Sequence, residues 1–423
     1  MDTLLTKLQL FLSDSTLRAR VLFVLGILVV FRALAAIPVP GVDALRLEQF
    51  FNSNQILGFL NIFSGGGLSS LSIVMLGVGP FITASIIMQL ATMLSPRLKA
   101  MYQEDGEAGR KRFGQYSRLL SVPLALIQGF SFLVLLERQQ VLVSLTPFDF
   151  ALNLVLITAG SMLLMWLGEL VSEYGVGNGV SLIIFAGIVS QLPTTASQLA
   201  FAFDPSQIPI YLGFTAVALL TIAAVVSITE AERPIPVTYA RRVRGAKVYG
   251  GISTYLPLRV NQAGVIPIIF ALSILLFPQM LSNLLSYVGN PTINSIGAAV
   301  SNFFADPWVY GIGYFILVFL FTYFYTAVTF DPDSISSNLQ KSGAFVPGVR
   351  PGSSTSEYLS KILVRITFVG ALFLGVIAVL PLIMQGLTGV QALAIGGTAL
   401  LIVVSVVLDL IRKIDAQVSM REY

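Results

Sequence analysis

The chain has 423 residues, 55% of them hydrophobic and only 11% charged, with a mean hydropathy of +0.84. A soluble domain needs more charge than that to cover its surface, so the bulk solvent implied is lipid. There is no cysteine and no histidine, and the net charge is +4; disulfides, thiolate metal sites, cysteine nucleophiles and histidine proton relays are all excluded.

Residues 1–17 set Leu4, Leu5, Leu8, Phe11 and Leu12 among polar residues, the pattern of a short helix lying at a membrane surface. No small-residue cleavage site follows, so this is not a secretory signal. Apolar runs between polar breaks then predict ten spans: 18–38, 74–94, 117–137, 150–171, 180–200, 209–229, 263–285, 308–329, 361–383 and 391–411. An eleventh apolar stretch, 57–72, is too short and too glycine-rich to cross. In it Ser64-Gly65-Gly66-Gly67 introduces a weak helix that stops near Gly77-Val78-Gly79-Pro80, where Pro80 begins the next span. Such a segment at membrane depth must be enclosed by protein or line a cavity. A loop of small residues that packs helices together fits the same pattern equally well.

With ten alternating spans both termini share one side, and 22 of the 25 Lys and Arg residues fall there; only Arg32, Arg46 and Arg138 do not. The positive-inside rule makes that side cytoplasmic. Two cytoplasmic loops, about 230–262 and 330–360, are long and basic. The chain divides into an interfacial segment 1–17, a first half 18–200, a second half 201–411 joined to it through an outer segment 190–208, and a tail 412–423. Five spans per half make the halves an inverted repeat by arithmetic, without visible residue-level self-similarity.

Acidic residues near spans, Glu137, Glu169, Glu230, Glu232 and Asp409, sit at span ends, and Arg32 is the deepest charge of the first span. These read as interfacial anchors rather than proton relays. No GxSxG, HExxH, Walker loop or paired intramembrane aspartate is present, which argues against an enzyme. The competing reading is a secondary transporter of a small solute, because inverted halves and broken helices occur there as well. It lacks ion ligands at mid-membrane.

Five blocks carry a further resemblance. The stretch 58–90, GFLNIFSGGGLSSLSIVMLGVGPFITASIIMQL, resembles the second-span signature of the SecY family, the alpha subunits of the protein-conducting channel. Gly175-Val176-Gly177-Asn178-Gly179-Val180-Ser181 with the following Leu182 to Val189 is similar to that family's fifth-span entry. Arg259-Val260-Asn261-Gln262-Ala263-Gly264-Val265-Ile266-Pro267 resembles its seventh-span entry, and Ser342 to Gly352 its fifth cytoplasmic loop. Gly396-Gly397-Thr398-Ala399-Leu400-Leu401-Ile402-Val403-Val404 resembles its tenth span, so the likeness runs in order from about residue 18 to 411. It implies an all-α polytopic membrane protein with ten transmembrane helices in two inverted five-helix halves and a short re-entrant plug helix.

Residue by residue, the resemblance implies a constriction of Ile82, Ile86, Ile184, Ile188, Ile269 and Ile402. Ile82 and Ile86 are four apart, as are Ile184 and Ile188, so each pair shares a helix face; spacing alone is equally that of ordinary packing. The family's plug falls on about 62–72, with Phe63, Ser64, Gly65, Gly66, Gly67 and Leu68. Spans 2 and 7 correspond to the lateral gate, with Thr83, Gln89 and Asn261 near the seam, either bonding across it or bonded to backbone and inert. The basic loops correspond to docking sites for the ribosome, through rRNA phosphates, and for the SecA ATPase, with Arg241, Arg242, Arg244, Lys247 and Arg350 as contacts. The implied assembly includes SecE and SecG, needs no cofactor, handles signal sequences and nascent chains, and exchanges segments with membrane lipids. The implied place is a bacterial inner membrane or a thylakoid. The outer loop 138–150 matches no family word, and many relatives have a longer basic tail than the residues after the last span here, where only Arg412, Lys413 and Arg421 are basic.

Overall fold

The computed structural model describes residues 14–41, 64, 66–68, 70–138, 140–142, 146–201, 208–239, 242–244, 247–249, 253–287, 291–388 and 391–419. Residues 1–13 of the interfacial segment, Phe63, Gly65 and Arg241 lie outside them.

Each predicted span lies on a helix. In chain order the helices are α1 (Ser15–Ala35), α2 (Gly79–Leu94), α3 (Pro96–Gln103), α4 (Gly106–Arg138), α5 (Pro147–Tyr174), α6 (Gly179–Phe201), α7 (Ile208–Glu230), α8 (Ile266–Tyr287), α9 (Pro291–Ala305), α10 (Pro307–Thr329), α11 (Pro332–Lys341), α12 (Ser353–Thr388) and α13 (Gln391–Ser419). Among the described residues α4, α5, α7, α10 and α12 contain segments long and apolar enough to cross a membrane. The pair α2–α3, bent by 114°, makes a sixth. Shorter apolar stretches cover Gly179–Pro193 in α6 and Ile266–Leu275 in α8, while α1 is diluted by Arg18, Arg20 and Arg32. The protein is an all-α polytopic membrane protein.

Local sequence sets the helix ends. The Asp14 carboxylate caps α1, accepting from the Thr16 amide at 2.9 Å, and Asp306 does the same for α10 through the Trp308 amide at 2.8 Å. Pro80 falls in the first turn of α2, where its missing N–H removes no intrahelical bond. The α2–α3 bend falls at Ser95, held extended (φ −123°, ψ 112°) by the proline that follows it.

The first-half helices meet the second along α8, which touches α2 and α4, and along α13, which touches α6. The principal core draws on α1, α2, α5 and α6 from one half and on α7, α8, α10, α12 and α13 from the other.

Three features depart from the sequence reading. The helix α6 continues through Pro193 to Phe201, which shortens the expected outer segment 190–208. The helix α9 had no counterpart; it packs on α8, with the Ser282 hydroxyl donating to the Gly297 carbonyl at 2.6 Å. The two long basic loops are one structured unit. Strands β1 (Glu232–Tyr239), β4 (Ser253–Arg259) and β5 (Ala344–Phe345) form a sheet in the order β4-β1-β5, all antiparallel, beside a hairpin of β2 (Arg242–Arg244) and β3 (Lys247–Tyr249). Ile235, Val237, Leu258, Ala344, Val346, Leu359 and Ile362 make a small core beneath the sheet, joined by Ile335 and Leu339 of α11.

Candidate functional site

Ile82 and Ile86 of α2, Ile184 and Ile188 of α6, Ile269 of α8 and Ile402 of α13 are all buried and belong to one continuous apolar cluster. The structure therefore gathers side chains that lie up to 320 positions apart in sequence (Ile82 to Ile402). Sequence spacing did not single out their packing partners, among them Phe31 of α1 and Tyr314 of α10, which are 0% and 1% exposed. Apolar side chains gathered in this way present no fixed hydrogen-bonding group and exclude water by their surface.

The segment before α2 differs from the short helix expected over 62–72. Ser64, Gly66–Leu68 and Ser70–Val78 run as successive turns, with no regular helix among the described residues. Gly66 and Gly77 adopt positive φ (86° and 57°), which interrupts a helix, and the Ser64 hydroxyl accepts from the Leu68 amide at 2.9 Å. The segment is also well anchored. Val39 donates its amide to the Leu71 carbonyl at 2.8 Å, Ile73 donates to Ile37 at 3.0 Å, and the Ser70 hydroxyl donates to the Ala35 carbonyl at 2.8 Å. On the other side the Ser161 hydroxyl of α5 donates to the Gly77 carbonyl at 2.8 Å. Leu68, Leu71 and Met75 pack with Phe132, Leu133 and Leu136 of α4 and Ile157 of α5.

Along the contact of α2 with α8 none of the three expected polar residues bonds across. The Thr83 hydroxyl donates to Gly79, one turn back, at 3.0 Å, and the Asn261 amide donates to Gly264 at 3.3 Å. Both satisfy the nearest backbone carbonyl first, the inert alternative for these residue types. Gln89 Oε1 and Asn261 Oδ1 are buried without a hydrogen-bond partner. A cavity of about 270 Å³ lies beside Asn261, lined also by Asn178, Arg259, Asp409 and Arg412.

Of the residues expected to dock partners, Arg242 and Arg244 sit on β2 and Lys247 on β3, where Arg244 is opposite Lys247 and Arg242 opposite Tyr249. Arg350 is exposed between Gly348 and Gly352, both at positive φ (83° and 99°). The span-end charges pair: Arg118 with Glu169 at 2.5 Å, Arg412 with Glu230 at 2.6 Å and Lys413 with Asp409 at 2.7 Å. Pairing at span ends is what interfacial anchors do.

A polytopic helical bundle whose two halves share one apolar core, with a basic platform on two loops, is an architecture found among solved protein-conducting channels. A solved structure described as a protein conducting channel has this fold, with a TM-score of 0.66 at 21% identity over 96% of this chain and 93% of that one. Sec61 in the canine ribosome-channel complex aligns with a TM-score of 0.63 at 20% identity, over the same shares. The SecY family model matches residues 72–411. The protein translocase subunit SecY of Thermotoga maritima is 43% identical over 418 residues, covering 96% of this chain and 94% of that protein. That of Mycobacterium tuberculosis strain H37Rv is 40% identical over 430 residues, 96% of each. The chain belongs to the SecY family. It is a channel subunit of a protein translocase, and the small-solute transporter reading falls away.

Proposed function

We propose that this chain forms a passive, gated channel for unfolded polypeptides, in which the six isoleucines are the seal. The observation that carries the reading is their convergence, from four helices and both halves, in one buried cluster. Apolar side chains close around a moving chain without reading its sequence and part with little penalty in hydrogen bonds. The turns at 64, 66–68 and 70–78 belong to the plug, which is displaced when the channel opens. The contact of α2 with α8 is the lateral gate, through which signal sequences and membrane segments pass into lipid.

The energy comes from outside the chain, from the SecA ATPase or from ribosomal synthesis, through Arg241, Arg242, Arg244 and Lys247 of the hairpin region and through Arg350. SecE clamps the two halves and SecG is a third subunit. The chain sits in a bacterial inner membrane with both termini cytoplasmic, as the asymmetry of its Lys and Arg residues supports.

The absence of native cysteine gives a direct test. Single cysteines at Ile86, Ile188 or Ile269, in channels reconstituted with SecE, SecA and ATP, should crosslink to a precursor stalled in transit. Crosslinks that appear only at lipid-facing control positions such as Leu119 would overturn the proposal.

A further inference from the structure

Arg350 is presented by a short loop whose C-terminal side is held by buried hydroxyl groups. Thr355, in the first turn of α12, donates its hydroxyl to the carbonyl of Arg350 itself at 2.8 Å. Ser336 of α11 donates to the carbonyl of Gly352 at 2.5 Å, and that carbonyl also accepts the amides of Thr355 (3.0 Å) and Ser356 (3.2 Å). The Ser356 hydroxyl bonds the Asp333 carboxylate and so ties α12 to α11. Ser336 and Thr355 are 2% exposed and Ser356 8%. The other flank is set by Val346, buried in the small core under the sheet, whose carbonyl accepts from the Val349 amide at 3.1 Å. Arg350 is exposed, as are Pro347, Gly348 and Pro351 beside it, and among the described residues no ion pair holds it.

We infer that Ser336, Thr355 and Ser356 are positioning residues: a hydroxyl clamp that fixes the backbone of Arg350, so that its guanidinium meets carboxylates on the motor ATPase already in place. The inference rests on reading Arg350 as a motor contact. A pre-ordered loop loses less entropy on association than a loose one, so the clamp acts on engagement of the motor and not on its turnover. Nothing in the small core requires these hydroxyls: an apolar isostere at Thr355 fills the same volume and removes only the bond to Arg350.

The experiment uses the full chain in proteoliposomes with its partner subunits, SecA, ATP and a secretory precursor. The variants are Thr355→Val, Thr355→Ser, Arg350→Ala, the double Thr355→Val/Arg350→Ala, and Ser354→Val as an exposed neighbour. Loss of one buried hydrogen bond implies that Thr355→Val raises the SecA concentration for half-maximal transport about fivefold, with kcat unchanged. Thr355→Ser should restore the wild-type value, Ser354→Val should keep it, and the double variant should be no worse than Arg350→Ala alone. Wild-type behaviour of Thr355→Val beside an impaired Arg350→Ala overturns the clamp. So does a double variant that is worse than Arg350→Ala, since the hydroxyl then acts without the arginine. Wild-type behaviour of Arg350→Ala overturns the docking reading and the clamp with it. Should Thr355→Val fail to fold, Ser336→Ala, which deletes a single oxygen, is judged by the same outcomes.

Discussion

Gly160 of α5 is a place where one methyl group decides the packing. A Cβ there would stand 2.1 Å from the carbonyl oxygen of Ile73, which is backbone and cannot turn aside. The turns before α2 can dock on α5 only because this helix has no side chain at that point, one residue before the Ser161 hydroxyl that holds Gly77. Gly160→Ala should therefore push the segment off α5, with an overpacking penalty of about 1–3 kcal/mol. The expected readouts are a lower unfolding temperature and faster modification of a cysteine placed at Leu68, and unchanged labelling would refute the close docking. Gln89 predicts the opposite sign. Its side-chain oxygen is buried without a partner, an arrangement that costs about 1–3 kcal/mol. Gln89→Leu should raise the unfolding temperature. If the seam of α2 and α8 is the exit path, where opening wets this oxygen, the same change should slow insertion of membrane segments. An unfolding temperature at or below wild type would show that the amide is solvated after all.

At the scale of elements, the sequence betrays what is local and hides what is distant. Spans are legible because lipid demands an unbroken apolar run, and α4, α5, α10 and α12 fall where such runs lie. The helix ends follow from Pro80, Pro147 and Asp306, each visible in its own turn. The sheet is illegible for the converse reason: β1 and β5 pair Thr238 with Phe345 and Tyr239 with Ala344, more than a hundred residues apart, and β5 has only two residues. Pro234 and Pro236 in β1 and Pro257 in β4 also argue against strand when read singly. The turns among the described residues before α2 are not legible in the sequence because contacts from α1 and α5 fix them, not their own propensity. The candidate collar was named by family likeness, since isoleucine at helical spacing occurs throughout the chain. The platform supports one prediction of its own. Val237, 2% exposed, lies at the centre of the small core, so Val237→Asp buries an unpaired charge and should detach the sheet from α11 and α12. Rapid proteolytic cleavage within 240–252, with the spans left intact, is the expected result. Resistance equal to wild type would mean that the strands do not depend on that core.

For the whole molecule, the six isoleucines proposed as a collar belong to the principal core itself. The cluster that holds Ile82, Ile184, Ile269 and Ile402 also contains Val24 of α1, Leu164 of α5, Val318 of α10 and Leu374 of α12. On the reading proposed above, opening the channel would separate part of the principal core, and among the described residues no Asp, Glu, Lys or Arg is buried. It also sets the expected response to truncation. Each Ile→Gly change removes apolar volume from a tightly packed site, so it weakens the closed state in the same range as other large-to-small core changes, about 2–5 kcal/mol. Lipid alone does not refill a gap between helices, and water does once the collar is wide and polar enough. Replacing Ile86, Ile188 and Ile402 together with glycine should make liposomes carrying the channel lose chloride severalfold faster at rest, while the matching Ile→Leu set, which keeps the volume, should stay tight. Equal leak from both sets would mean that the seal lies elsewhere, and the plug turns at 64–78 would then be the barrier to examine.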